Sequence, residues 1–551
     1  MNPQLLEELK QSIKGDVATD EATLTEHSHD ASIFEVKPRV VVFPKDQNDV
    51  EALVSFVAKN KSSSSDLSLT ARSAGTDMSG GALGENIIVS FGKYFNKTPV
   101  INGDVATTEP GVFYRDFEKE TLQRGLIFPP YPSSREICAM GGILNNNAGG
   151  EKSLQYGKAE DYVLRVKVVL RDGKTYEFKK IGETDLKNKM SQNDFEGEIY
   201  KKMFELINNN YDEIMQAKPD VTKNSAGFFL WNVYDREKKT FDLSRLWVGS
   251  QGTLGLLLEG DLKLVPVHKH RDMLIIFLHD MSHLGKIINA VMEFNPESFE
   301  SYDDNTLKLA LKYFPEFAKK LGPLGMFQAA FAFFPAFFDL LIGRSLPKLV
   351  LQVDFTSDNL EEVEQKVASL QEKLKPLHPH TQVAEENAEQ KYWLVRRESF
   401  NLLRQKIRDK HTAPFIDDFI VKPEFIAEVI PQVTDILKKH PEFIFTVAGH
   451  VGNGNFHIIP LVDIKDPKVR TAIPEISEQV YSIVAKYHGS ITGEHNDGII
   501  RTPYLDKMYS SQILDLFKQT KLIFDPDNIF NPGKKVGGTL KYAMDHLRTT
   551  W

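Results

Sequence analysis

The stretch "LSLTARSAGTDMSGGALGENIIVSF", Leu67 to Phe91, joins two apolar runs through a loop of small residues. Upstream, "RVVVFP" (Arg39 to Pro44) reads as a short buried strand, and "DVEALVSFVAKN" carries the 3.6-residue period of an amphipathic helix. The order is therefore strand, helix, strand, glycine-rich loop, strand. Glycines in such a loop let backbone N–H groups approach a ligand, and successive N–H groups form an anion nest suited to a pyrophosphate. Taken alone, the loop fits a plain surface turn equally well.

Two further loops of this character follow. "AMGGILNNNAGGEKSLQYG" (Ala139 to Gly157) comes after the proline-fixed approach "GLIFPPYPSS", and "LWVGSQGTLGLLLEGDLKLVP" (Leu246 to Pro266) again sets small residues between apolar runs. None has a P-loop lysine. Three such loops suggest a long polyphosphate cofactor lying in an extended groove, whereas ordinary turns need no such repetition.

Composition narrows the class. With 551 residues the chain exceeds one hydrophobic core and divides into several domains. Apolar content of 41%, charged content of 26% and a net charge of -9 describe a globular protein without a nucleic-acid footprint. The single cysteine, Cys138, excludes disulfides, cysteine zinc sites and Cys-ligated iron–sulfur clusters within the chain. "MNPQLLEELKQSIKGD" reads as a charged amphipathic helix without the apolar core of a signal peptide, so the expected location is cytoplasmic.

A second chemistry sits in "GHVGNGNFH", Gly449 to His457. Asn453-Gly454 is a strong type I′ hairpin signal. A two-residue turn there sets His450 opposite His457 and points Val451 and Phe456 to the other face. Facing imidazoles come close enough for one metal ion, though two hydrogen-bonded histidines need none.

The loops "RSAGTDMSGGA", "PSSREICAMGGILNNNAGGEKSLQYGKAEDYVLRVKVVLRDG" and "LWVGSQGTLGLL" resemble the flavin-binding signatures of the vanillyl-alcohol oxidase / para-cresol methylhydroxylase (PCMH) superfamily. "GHVGNGNFH", "TGEHNDGIIRTPYL" and "FDPDNIFNPGK" resemble the C-terminal signatures of its FAD-linked oxidase branch, which includes cytochrome- or quinone-linked D-lactate dehydrogenases, glycolate oxidase subunits and D-2-hydroxyglutarate dehydrogenases. The likeness runs from about Val36 to Lys535 and is weak between Glu293 and Leu346.

The resemblance implies an α+β fold: a two-subdomain FAD-binding domain of the PCMH type plus an α+β cap with an antiparallel sheet. The expected divisions are a helical segment over 1–35, the FAD-binding domain over 36–268 with two α/β subdomains, the cap over 269–525, and a segment over 526–551 returning to the flavin. It implies FAD contacts from Arg72, Ala74, Gly75, Thr76, Asp77, Ser79 and Gly80, and from Pro132, Cys138, Gly141, Gly142, Asn147, Ala148, Gly149, Gly150, Tyr156 and Gly157. Gly252, Thr253, Gly255 and Asn531 complete the set. Thr76 stands where relatives with covalent flavin have histidine, so the FAD is expected to be non-covalent. Cys138 reads as a small packing residue.

In metal-assisted relatives the corresponding residues are His450, His457 and Glu494, which implies a divalent ion, Zn or Mn. His495 is then the expected general base and Arg396 of "KYWLVRRESF" the clamp for a carboxylate. Asp417 and Asp418 of "APFIDDFIVKPEF" read as helix caps or site contacts, with capping preferred. Asn496 replaces the family's glycine after Glu-His; asparagine tolerates positive φ, but its side chain would narrow the pocket. Ile459 stands where 2-hydroxyglutarate enzymes have a polar contact, which favours a small monoacid.

The implied function is FAD-dependent oxidation of a small D-2-hydroxy acid, D-lactate first, with electrons passed to quinone or a cytochrome. Other flavin oxidoreductases of the superfamily and a non-catalytic flavin-binding protein are the alternatives. "LGMFQAAFAFFPAFFDLLIG" (Leu324 to Gly343) holds six phenylalanines, interrupted by Pro335 and Asp339. It reads as a buried helix pair of the cap or as a peripheral docking patch for the inner face of the cytoplasmic membrane.

Overall fold

Val40–Phe43 is β-branched and uncharged over its first three residues, which suits a strand covered on both faces. The computed structural model describes residues 2–312, 346–384, 393 and 410–549. In it this strand pairs in parallel with Ile87–Ser90, which pairs in parallel with Leu69–Arg72, and Asp16–Ala18 adds an antiparallel edge. The crossover helix Gln47–Asn60 starts where the Asp46 side chain accepts the Asp49 N–H, and it buries Val50, Leu53, Val54 and Val57 at helical spacing.

The second sheet departs from the α/β expectation. Its five strands run in the order Val100–Asn102, Val105–Thr108, Leu256–Lys263, Val163–Val169, Thr175–Lys179, and every pairing is antiparallel. The physical reason lies in the connections. "LRDGK" between Val169 and Thr175 makes a hairpin, whereas a parallel neighbour needs a crossover of a dozen or more residues.

Between Pro266 and His270 the chain passes into a seven-stranded antiparallel sheet. The order is His380–Ala384, His270–Leu278, Leu349–Ser357, Ser298–Asp303, Val447–His450, Asn455–Ile458, Phe419–Ile420. Register sorts the two faces. Met273 and Asp354, Ile275 and Gln352, and Ala448 and His457 share one face; Leu274 and Val353, Ile276 and Leu351, and Gly449 and Phe456 share the other. The second, apolar face belongs to the main core with helices Leu284–Met292 and Leu360–Leu374. The first carries buried polar groups and looks onto the glycine-rich loops.

The hairpin at the centre of this sheet is built differently from the two-residue turn. Residues 451–454 form the loop, with Asn453 N–H donating to His450 O at 3.0 Å and Gly454 N–H to Val451 O at 3.0 Å. Only Gly454 of the Asn-Gly pair takes positive φ, at +77°. His450 therefore stands opposite Asn455, and His457 opposite Ala448. The neighbouring strand decides the register: Val421 N–H donates to Gly454 O, and the Asn455 amide donates to Asp418 Oδ1 and Phe419 O. Because the register differs from the expected one by two residues, both histidines stay on one face.

The C-terminal segment closes back on the first loop. Asn531 Nδ2 donates to Gly81 O and Gln251 O, and Asn531 Oδ1 accepts from Thr70 Oγ1. Buried Lys535 pairs with Asp497 at 3.0 Å, and buried Lys534 donates to Leu83 O.

A Cβ on Gly454 would stand 1.8 Å from Val421 O. Gly454→Ala is expected to destabilise the chain by about 3 kcal/mol, strain and clash together, read as a lower urea midpoint. Cys138 lies in the core, and burial pushes its thiol up to about 12. A thiol reagent at about pH 8 should label no cysteine in the native chain and one after denaturation.

Candidate active site

A groove of about 1680 Å³ runs between the glycine-rich loops and the polar face of the large sheet. The first loop is folded by its own aspartate. Asp77 Oδ2 accepts Ser79 N–H, Ser79 Oγ–H and Gly81 N–H at 3.1, 2.8 and 2.6 Å. Among the described residues the backbone N–H groups from Ala74 to Met78 have no partner, which is the open donor row a phosphate needs. Gly75 has φ +68°, and a Cβ there would meet the Arg72 guanidinium. Arg72 Nη2 donates to His29 O at 2.8 Å, while its Nη1 is buried without a hydrogen-bond partner. At Gly142 a Cβ would meet nothing within 4 Å, so the bare backbone faces open groove. An extended diphosphate cofactor such as FAD fits these features.

Of the residues expected at the flavin, Arg72, Ala74, Gly75, Thr76, Asp77, Pro132, Cys138, Gly141, Gly142, Ala148, Gly149 and Gly252 line the groove. Ser79, Gly80, Asn147, Gly150, Tyr156, Gly157, Thr253, Gly255 and Asn531 do not. A Cβ would stand 2.1 Å from Tyr131 O at Gly150 and 2.6 Å from Val169 O at Gly255, so backbone packing explains these glycines. Asn147, at φ +52°, ends helix Met140–Asn146 and turns its side chain to Glu160.

His450, His457 and Glu494 converge in the same groove, with ligand atoms within 4.8 Å of one another. Glu494 Oε1 lies 3.3 Å from His450 Nε2, and Oε2 lies 4.0 Å from His457 Nε2. Each imidazole is anchored through its other nitrogen: His450 Nδ1 on Glu300 Oε1 at 2.7 Å, His457 Nδ1 on Asp417 Oδ1 at 3.1 Å. Both Nε2 atoms thus face a shared carboxylate, the donor set of an open divalent-cation site, and the residues fit such an ion. Lys223, fully buried, donates to Glu494 Oε1 at 2.5 Å. Burial raises the Glu494 carboxyl, but Lys223 and His450 outweigh it and hold the group well below the usual range. Burial lowers His450, and Glu300 overrides it to give a net rise.

His495 lies beside this triad, its ring 5.2 Å from that of His457 with 23° between the planes. Its Nδ1 is 2.8 Å from Asp417 Oδ2, a close contact outside hydrogen-bond geometry, and the residue lines the groove. Burial pulls its pKa down, but Asp418 and Asp417 override this and bring it up to about 9. Asn496 takes φ +69°, as its residue type allows. Its side chain turns inward, donating to Gly249 O and Asn146 O, and does not narrow the groove.

The two aspartates are not helix caps; the helix Ile426–Lys438 follows Phe425, which makes no side-chain cap. Asp417 accepts from His457 Nδ1 and lies close to His495 Nδ1, and Asp418, at φ +72°, accepts the N–H groups of Glu494 and His495. Glu300 and Lys223 lie outside the sequence motifs, and Arg501, inside "TGEHNDGIIRTPYL", takes no role from the resemblance. Glu300 is found only through the register of its strand with Val447–His450. Arg396 and the Phe-rich stretch 324–343 lie outside the described residues. Trp393, Arg271, Lys410 and Ile459 line the groove. Among the described residues no helix is long and apolar enough to cross a membrane.

The profile described as "FAD binding domain" matches residues 38–179, and "FAD linked oxidases, C-terminal domain" matches 267–535. The chain is 27% identical to D-2-hydroxyglutarate dehydrogenase of Pseudomonas putida over 541 residues, covering 97% of this chain and 52% of that one. It thus spans about half the length of this relative and of others like it. To D-lactate dehydrogenase of Archaeoglobus fulgidus it is 26% identical, covering 90% of this chain and 91% of that one. The fold is that of 4-ethylphenol oxidase from Gulosibacter chungangensis (TM-score 0.69, 16% identity, 98% of each chain). It is also similar to that of alkyldihydroxyacetonephosphate synthase (TM-score 0.66, 15% identity, 97% of this chain and 85% of that one). The chain thus carries an FAD binding domain followed by a C-terminal domain of the FAD linked oxidases.

Proposed function

We propose that this protein is an FAD-dependent dehydrogenase that oxidises a small D-2-hydroxy acid, D-lactate first, to the 2-keto acid. The observation that carries the reading is the convergence of His450, His457 and Glu494, with His495 stacked on His457, in one groove with the open N–H row of Ala74–Met78. The names of the relatives, D-2-hydroxyglutarate and D-lactate dehydrogenases, support the substrate class.

Non-covalent FAD, held by the first loop and by Gly142, Gly149 and Gly252, supplies the two-electron acceptor. A Zn or Mn ion on His450, His457 and Glu494 supplies Lewis acidity at the substrate hydroxyl and a positive charge that favours the neutral form of neighbouring His495. The chain's own groups do the rest. His495 receives the hydroxyl proton at Nε2, since its Nδ1 lies against the Asp417 carboxylate, where a lone pair would face a negative oxygen. Lys223 keeps one oxygen of Glu494 occupied and leaves the other to the site. Arg396 is the proposed clamp for the substrate carboxylate, as its place after Trp393 in the sequence suggests. Ile459, on the strand edge beyond His457, presents an apolar wall where a second carboxylate would have to be desolvated, which supports a monoacid. The proposed final acceptor is a quinone or a cytochrome, because no G-x-G-x-x-G fingerprint for a nicotinamide dinucleotide follows a strand.

Anaerobic mixing of the FAD-loaded protein with D-lactate should bleach the flavin absorbance. No bleaching with D-lactate, glycolate or D-2-hydroxyglutarate overturns the proposal. His457→Ala is expected to lower kcat/KM by about 10²–10³-fold, several kcal/mol of lost Lewis-acid stabilisation, while the flavin stays bound. Ile459→Ala should raise kcat/KM for longer 2-hydroxy acids relative to D-lactate by about tenfold, measured with a panel of chain lengths.

A further inference from the structure

One carboxylate touches both imidazoles to which the proposed chemistry assigns different tasks. Asp417 is fully buried. Its Oδ1 lies 3.1 Å from His457 Nδ1 and its Oδ2 2.8 Å from His495 Nδ1. The two rings stack at 5.2 Å, so they lean on the same carboxylate from neighbouring positions. The backbone of the same residue is anchored, since its carbonyl accepts from Arg501 Nη2 and Arg501 is itself fully buried.

A carboxylate accepts hydrogen bonds and donates none, so His457 Nδ1, bonded to Oδ1, has to carry the hydrogen; His495 Nδ1, close to Oδ2 but outside hydrogen-bond geometry, carries it because a lone pair there would face the negative oxygen. In a neutral imidazole the lone pair is then on Nε2. For His457 that nitrogen faces Glu494; for His495 it is the one left to the groove. We infer that Asp417 is the positioning residue that sets the tautomers of His457 and His495 together, giving the first ring its free Nε2 for a cation and the second its free Nε2 for the substrate proton. Asp417 touches neither cation nor substrate and acts only through the two rings. The inference rests on the function proposed above for what the rings do, but the tautomers themselves can be read without any substrate.

The amide of Asp417→Asn has one accepting oxygen and one donating nitrogen, whereas the site presents two Nδ1–H groups. One ring keeps its bond to the oxygen. The other faces an NH₂ and has to move its hydrogen to Nε2, losing the lone pair that serves the site. The structure thus predicts that the variant loses one of the two tasks and keeps the other.

The test uses the full chain, stripped of metal and labelled with ¹⁵N in its histidine rings, followed through a pH series to the point where both rings are neutral. Difference spectra against His457→Gln and His495→Gln assign the two rings. Nδ1–H on both rings of the wild type is expected; Nε2–H on either overturns the inference, and this measurement does not depend on any Asp417 variant folding. In Asp417→Asn one ring should switch. If it is His457, Zn(II) affinity by chelator competition falls about 10–100-fold; if it is His495, Zn(II) affinity and KM hold while kcat falls by a similar factor. Unchanged tautomers in the variant, or a switched ring whose own task is unaffected, overturn the inference. If no hydroxy acid reduces the flavin, the function proposed above fails, while the wild-type tautomers and the Zn(II) affinity still decide the role of Asp417.

Discussion

Asp418 is the pin on which the site hangs. Its carboxylate is fully buried and accepts four hydrogen bonds: from the backbone of Glu494 and His495, the Thr492 hydroxyl and the Asn455 amide. Hydrogen bonds to a charged acceptor contribute about 1.5–3 kcal/mol each. That sum exceeds the 1–3 kcal/mol that a non-glycine residue loses at φ +72°. One side of the pin is the hairpin carrying His450 and His457; the other is the 492–496 loop carrying Glu494 and His495. The strained backbone aims neighbouring Asp417 at the two rings while Asp418 faces the loop.

Burying this many carboxylates requires counter-charge, because an isolated ion in a low-dielectric interior is far more costly than a paired one. Glu300, Asp417, Asp418 and Glu494 lie among Lys158, Lys223 and Arg501, and each cation is bound to named acceptors. Lys158 is the clearest case. Its ammonium donates to Asn224 O, Ser225 Oγ and Gly493 O, yet burial still lowers its pKa to about 8. These cations come from segments far apart in the chain. The site thus draws its counter-charges from both the 158–225 region and the C-terminal loop 492–501.

The glycine-rich loops show how far residue type can be read. A glycine that opens backbone to a ligand and one that lets two backbones touch look identical in sequence. Gly142 faces open groove, whereas Gly150 and Gly255 are pressed against the carbonyls of Tyr131 and Val169. The Asn-Gly pair in "GHVGNGNFH" is a similar case. Turn propensity favours a two-residue loop, but hydrogen bonds to Val421 and Asp418 from the next strand select a four-residue one. The histidines are neighbours by parity of register and not by direct opposition.

The sequence by itself determined the two FAD-linked domains, the α+β class, the strand, helix and strand that lead into the first loop, and the tolerance of Asn496 for positive φ, and it singled out His450, His457 and Glu494 as candidates. These rest on local chemistry: apolar periodicity, small residues in a loop, and residue types able to ligate or to take a left-handed conformation. Only the tertiary structure decided the antiparallel second sheet, the hairpin register, and the roles of Glu300, Lys223, Asp417 and Asp418. Those depend on which strands lie side by side and on which charges must be balanced once water is excluded, and neither is written in the spacing of residues along the chain.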